Sequence, residues 1–346
     1  MFSTVEIINF PPASPLLPLP LVMTQKVFIT GASGCIGHYI AESLINHTNY
    51  ELYFLVRNPD KLGFNYKKRP DIHILAGDLR EIDKFSDLLK TIDIAILAAT
   101  SWGGKPEVFD VNITSTHQLL KSLDHQRCQQ VIYFSTASVL NRQNQLIPEA
   151  GEIGTDYISS KYHCLQQISQ NYPDFPPLRV LFPTLVLGGD TDKPYSHLSS
   201  GLPQVVSWIN LIRWFKADAS FHFVHAADIA KVVEYLVNHP PQSQQPEWLV
   251  LGNPPLTLNQ AIAETCAYYH KSIYFSISLS LWLANFFIIV FRVQMAEWDR
   301  FCLNYRHFTY QNPVSPATFG EITRFPTLTH ILAEFAPTSP SPSSSP

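Results

Sequence analysis

The chain has 346 residues, 46% of them hydrophobic and 15% charged, with a formal net charge of −4. That length and apolar share suffice for a large core, either one α/β domain or a main domain with a lobe. So mild an acidic balance leaves no electrostatic footprint for nucleic acid, and five scattered cysteines without a C-x-x-C pair argue against a disulfide framework or any zinc site and fit a reducing, cytoplasmic compartment.

Residues 1–22 read as a non-core extension, because Pro11, Pro12, Pro15, Pro18 and Pro20 interrupt an apolar segment that has no basic start. Met23 lies just before the first predicted strand and is a second candidate start. The organising stretch follows, KVFITGASGCIG from Lys26 to Gly37. A β-branched and aromatic run (Val27, Phe28, Ile29, Thr30) stops at Gly31, Gly34 and Gly37, and an apolar-periodic helix takes over with Ile36, Ile40, Ala41, Leu44 and Ile45 on one face. A strand that feeds a helix through a glycine turn aims unpaired backbone N–H groups and the positive helix end at a phosphate. The turn residues Gly31, Ser33, Gly34, Cys35, Ile36 and Gly37 therefore predict dinucleotide binding.

A second strand, Glu51 to Val56, runs into Arg57 with no acid at Leu55, Val56 or Asn58. An acid at this place holds a ribose 2′-hydroxyl and an arginine accommodates a 2′-phosphate, so the chemistry favours NADP over NAD. A third strand, Ile72 to Ala76, leads into Gly77, Asp78 and Leu79. Asp78 is read either as an acceptor for the adenine amino group or as a helix N-cap. The fourth strand, Asp93 to Ala98, is a continuous apolar run ending in Ala98, Ala99 and Thr100, small enough for a cofactor to lie against the backbone. A long helix is expected from about Pro106 to Asp124 with Asn112 on its early turns, and a fifth strand, Gln130 to Phe134, opens into Ser135, Thr136, Ala137 and Ser138.

Tyr157 and Lys161 stand four apart, side by side on one helix face. An ammonium beside a phenol lowers its pKa, and a hydroxyl opposite can hold a substrate oxygen. Later elements are a sixth strand near Leu178 to Phe182, strand 221–225, helix 226–238, strand 247–251 and helix 257–270. The aromatic residues Trp208, Trp214, Phe215, Phe221 and Phe223 are expected in the core, and His225 as a structural histidine. Residues 272–291 carry no charge, and three readings stay open: a buried or pocket-lining helix, peripheral membrane contact, or a membrane span. The tail from Pro337 is low in complexity.

With these motifs in place, the chain resembles an extended short-chain dehydrogenase/reductase of the NAD(P)-dependent epimerase/dehydratase type, with similarity to dihydroflavonol-reductase-like branches. The likeness spans roughly residues 26–270, through the glycine turn, Gly77-Asp78-Leu79, Leu97-Ala98-Ala99, Asn112, Ser135-Thr136, Tyr157 with Lys161, Phe223 to Ala230, and Leu251-Gly252-Asn253. It implies that Tyr157 is the acid/base, that Lys161 tunes it and bonds the nicotinamide ribose, and that Thr136 (or Ser135) positions substrate. Asp78 would contact adenine, Arg57 would echo the arginine of NADP-using branches, and Pro183 keeps the proline after the sixth strand. Ala137 and Ser138 stand where dehydratases of the family carry an acidic pair, and Leu181 to Gly189 lacks the wording of many sugar-nucleotide enzymes.

The fold expected is α/β, a Rossmann-type doubly wound parallel sheet in the order 3-2-1-4-5-6. The dinucleotide-binding domain would cover 23–183, a small C-terminal substrate lobe 184–336 with some return to the core, and the tail 337–346. The reading is hydride transfer between a nicotinamide and a carbonyl or secondary alcohol, first as an NADPH-linked reductase of a small or lipid-like carbonyl. An NAD-dependent sugar-nucleotide epimerase and a non-catalytic regulatory or assembly protein that binds a dinucleotide are the alternatives. A homodimer through Leu119, Leu120, Ile158 and Leu165 is a further expectation, although the same residues would suit a core.

Overall fold

The computed structural model describes residues 24–172, 174–283, 285 and 294–335. The expectations for residues 1–22, Met23, the tail from Pro337 and most of 284–291 lie outside these residues.

A seven-stranded, all-parallel sheet forms the centre. Its strands are β1 (Lys26–Thr30), β2 (Glu51–Val56), β3 (Ile72–Ala76), β4 (Ile94–Leu97), β5 (Gln130–Phe134) and β6 (Leu178–Pro183), with Glu247–Leu251 as the seventh. In space the order is β3-β2-β1-β4-β5-β6 and then Glu247–Leu251. The chain winds outward in both directions from between β1 and β4, the switch point at which such sheets open a crevice beyond the strands' carboxyl ends. Beyond the expected six strands, 247–251 returns from the lobe region to pair with β6.

Helix layers cover both faces, as the continuous apolar strands require. On one face α1 (Cys35–His47) packs beside helix Ala226–Asn238 over Val27, Ile29, Ile94 and Ile96. On the other, helix Asp156–Asn171 and segment 105–122 cover Phe28, Ala95, Val131 and Tyr133. Leu119, Leu120, Ile158 and Leu165 are spent in this second core, at 8% exposure or less, so they offer no dimer surface. The expected long helix is interrupted at Asp110–Ser115 by a wider π-helical turn that carries Asn112 inward, fully buried.

Three further expectations are corrected. Strand 221–225 divides at the buried His222, whose ring accepts from Tyr310 N at 3.1 Å and meets Asn253 O at 2.7 Å. Ser220–Phe221 therefore joins Leu256–Thr257 and His307–Phe308, while Phe223–His225 pairs with Leu185–Leu187. Trp208, expected in the core, stands 53% exposed, although Phe223 is buried. In the described part of 272–291 no buried helix is seen: 271–276 is irregular, Ile277–Ser278 is a short strand, Tyr274 and Phe275 are exposed, and 281–283 with 285 are helical but not buried. Among the described residues, no helix is long and apolar enough to cross a membrane.

Candidate active site

The glycine turn leaves β1 at Gly31, whose φ of +80° is left-handed. A Cβ there would stand 2.5 Å from the backbone of Ala98 and Ala99, and one on Gly37 would meet Gly31 O. These two glycines let strand, turn and helix close on one another. Gly34 differs: a Cβ on it would meet nothing nearer than Gly31 O at 3.5 Å, so its backbone faces open space. Gly34 is also the N-cap of α1, which has no side-chain cap and no acid in its first turn. The end of a 13-residue helix thus presents unpaired N–H groups and a positive dipole to the crevice. This cradle fits a dinucleotide pyrophosphate. Cys35, in the first turn, is no nucleophile, because burial pushes its thiol up to about 12.

A single cleft of about 680 Å³ is lined by all the residues singled out from the sequence: Gly31, Ser33, Gly34, Cys35, Ile36 and Gly37; Arg57, Asp78 and Leu79; Ala98, Ala99 and Thr100; Ser135, Thr136, Tyr157, Lys161 and Pro183. Trp102, Thr155, His197 and Trp298 also line it, and sequence reasoning assigned none of them a role.

At the β2 end, Arg57 is two-thirds exposed and meets Glu107 only loosely, Nη1 to Oε1 at 3.5 Å. Asp78 has the capping role. Its carboxylate accepts from Arg80 N at 2.9 Å, Arg80 Nε at 3.0 Å and Arg80 Nη2 at 2.8 Å. These bonds from Arg80 hold the Asp78 carboxyl down at about 2. Both its oxygens are engaged, so adenine would have to share an acceptor with Arg80. Arg80, two residues after a helix-capping Asp, was missed from the sequence.

At the β5 end, Thr155 caps the helix that carries Tyr157 on its first turn and Lys161 one turn later. Thr136 and the Tyr157 phenol line the cleft together, the Thr136 hydroxyl accepts from Ser138 N at 3.3 Å, and the Ser135 hydroxyl is buried with no partner in the structure. Lys161, 2% exposed, donates to Phe134 O at 2.8 Å and lies 4.9 Å from the centre of the Tyr133 ring. Burial raises the Tyr157 phenol above its ordinary value, with the Thr136 hydroxyl opposing, and burial pushes the Lys161 ammonium down to about 8.

Trp102 stacks flat on Tyr157, ring centres 3.8 Å apart at 16°, and lies 4.5 Å from His197. Its loop is fixed by Asn112, which accepts from Thr100 Oγ1 at 3.0 Å and Ser101 N at 2.9 Å. The Asn112 amide in turn donates to Ser160 Oγ at 2.9 Å, on the Tyr157 helix. The indole is thereby tied to the phenol it covers. His225 takes the expected structural place: fully buried, capping helix Ala226–Asn238 and tilted against Phe325, ring centres 3.8 Å apart.

A family model described as the NAD dependent epimerase/dehydratase family matches residues 27–252. The chain belongs to that family. As an epimerase/dehydratase-family member it is an enzyme of the extended short-chain type, with an NAD(P) fold at its centre. No curated protein matches the chain. Among solved structures it is similar to gox2253, at 17% identity and a TM-score of 0.66, covering 90% of this chain and 98% of that one. It is also similar to dTDP-glucose 4,6-dehydratase from Bacillus anthracis in complex with NAD, at 13% identity and a TM-score of 0.62, covering 90% and 95%. UDP-glucuronic acid 4-epimerase from Bacillus cereus, in complex with NAD, follows at 18% identity and a TM-score of 0.55, covering 74% and 86%.

Proposed function

We propose that the protein is an NADP-linked reductase of an apolar carbonyl compound, with Tyr157 as proton donor. The observation that carries this reading is the Tyr157 phenol stacked under the Trp102 ring, ring centres 3.8 Å apart, in the same cleft as Thr136 and Lys161. A nicotinamide dinucleotide bound in the cleft supplies or accepts hydride. Gly34 and the open end of α1 would receive its pyrophosphate, and Arg57 its 2′-phosphate, exchanging a loose contact with Glu107 for a tighter ion pair.

In the reductive direction the Tyr157 phenol, protonated at neutral pH, hands its proton to the oxygen that becomes an alcohol. Thr136 positions that oxygen, and Lys161 supports the phenol's charge as the proton leaves. Trp102 keeps water from one face of the phenol and offers an aromatic wall to the substrate. Ala137 and Ser138, where a dehydratase would need acids, leave no group for eliminating water.

A second reading, sugar-nucleotide epimerisation with retained NAD, is supported by the family and by the epimerases of similar fold. One experiment separates the two. The protein is incubated with NADPH and a panel of aromatic and alicyclic ketones and aldehydes, and separately with UDP- and dTDP-sugars. Consumption of NADPH matched by alcohol formation is the expected result. Interconversion of sugar epimers without net loss of nucleotide would give the site to the second reading, and neither reaction would defeat both.

A further inference from the structure

Two segments distant in sequence build one exposed face beside the opening of the cleft. Helix His197–Ser207 begins at His197 and Leu198, which line the cleft, and runs out towards Trp208 and Leu211. Residues 272–279 lie against the continuation of this segment. Ile277–Ser278 pairs with Phe215–Lys216, Arg213 Nη1 donates to Ser272 O at 3.1 Å, and Phe275 stacks on Trp214 with ring centres 4.7 Å apart. The face this creates is strongly apolar and open: Trp208 is 53% exposed, Leu211 49%, Tyr274 81%, Phe275 61% and Ile277 47%.

Its charge sets it apart from the rest of the chain. The protein carries a net −4, yet no Asp or Glu occurs between Asp192 and Asp218 or between Glu264 and Glu297. The charged residues in these two stretches are Lys193, Arg213, Lys216, Lys271 and Arg292, all cations. Lys216 and Lys271 are exposed beside the apolar residues, and Asp218, the acid that follows, is bonded to Arg306 at 2.7 Å. Exposed Trp, Tyr and Phe side chains with lysines at their edge and no carboxylate among them complement an anionic lipid surface, where aromatic rings sit at headgroup depth and cations meet phosphate.

We infer that this face docks the protein on an anionic bilayer surface, without crossing it, so that the cleft opens towards the lipid. The inference rests on the exposed face and its charge, and it stands whichever reaction the cleft performs.

The test is sedimentation of the full chain with extruded vesicles, of phosphatidylcholine alone or mixed with phosphatidylglycerol. Wild type is expected to pellet with the mixed vesicles at low salt and to be released by salt. Trp208→Ser/Tyr274→Ser/Phe275→Ser is expected to lower the bound fraction by about tenfold or more, as is Lys216→Gln/Lys271→Gln. Both variants change exposed side chains and should keep the wild-type melting temperature, and Ile322→Ser, at an exposed apolar residue elsewhere, should bind as wild type. The lysine variant keeps the test valid should the triple variant fold poorly. Wild type that stays in solution, or vesicle binding untouched in both variants, would overturn the inference. A wild-type dimer that the triple variant splits, with no vesicle binding, would assign the face to a second copy instead.

Discussion

Tyr157→Phe is expected to lower turnover by about a thousandfold while leaving nucleotide binding within about twofold of wild type. The substitution removes one hydroxyl and keeps the ring, so the stack with Trp102 at 3.8 Å survives and the helix it starts is undisturbed. What is lost is the phenol hydroxyl that would donate the proton. Proton transfer by a placed side chain contributes about 10²–10⁴-fold. Steady-state rates with the best carbonyl from the substrate panel, together with a dinucleotide titration, check both halves. A Tyr157→Phe enzyme with near-wild-type turnover would remove the tyrosine from the chemistry.

Lys161→Met should abolish turnover and yet raise stability at neutral pH. The ammonium is buried with no carboxylate in contact, held by Phe134 O, by Tyr133 Oη at 3.5 Å and by the Tyr133 ring, and its pKa falls to about 8 from an ordinary 10.5. Below about pH 8 both folded and unfolded chains carry this proton, so the folded state bears the full cost of the buried charge. Between about 8 and 10.5 the folded chain has released the proton and the unfolded chain has not, so stability rises with pH across that window. A shift of this size corresponds to ~3 kcal/mol. Methionine removes that cost but also the bond to Phe134 O, for a net gain of about 1–2 kcal/mol at neutral pH. Denaturant melts of wild type and Lys161→Met across this pH range check the claim. The alkaline rise should be present in the first and absent from the second. A less stable variant that keeps the rise would contradict it.

Much of the fold was legible in the sequence because its signals are local. β1, the glycine turn and α1 are adjacent in the chain and leave little choice of geometry. Strands such as Ile94–Leu97 announce burial on both faces by having no polar residue at all. The Tyr157–Lys161 pair is equally local, one helical turn apart. What sequence reasoning missed depends on long-range meetings. Trp102 is defined as an active-site residue only by Tyr157, 55 positions on, and by the Asn112 clamp that joins their segments. Glu107 meets Arg57 across 50 positions. The seventh strand reads correctly as a strand, yet nothing in its five residues says that it pairs with β6. Uncharged composition over 272–291 left a buried helix, membrane contact and a span open, because composition alone cannot tell an apolar surface from an apolar core; in 272–279 the exposed Tyr274 and Phe275 show an apolar surface.

Arg57 is proposed to read the 2′-phosphate of a nicotinamide dinucleotide bound in this cleft. Fluorescence titration of wild type and Arg57→Ala with NADPH and with NADH tests it most directly. The account predicts saturable binding of NADPH to wild type, weakened about tenfold to a hundredfold in Arg57→Ala, with NADH weaker and indifferent to the substitution. Equal affinity for the two nucleotides, untouched by Arg57→Ala, would contradict the NADP assignment, and no binding of either would contradict the site itself.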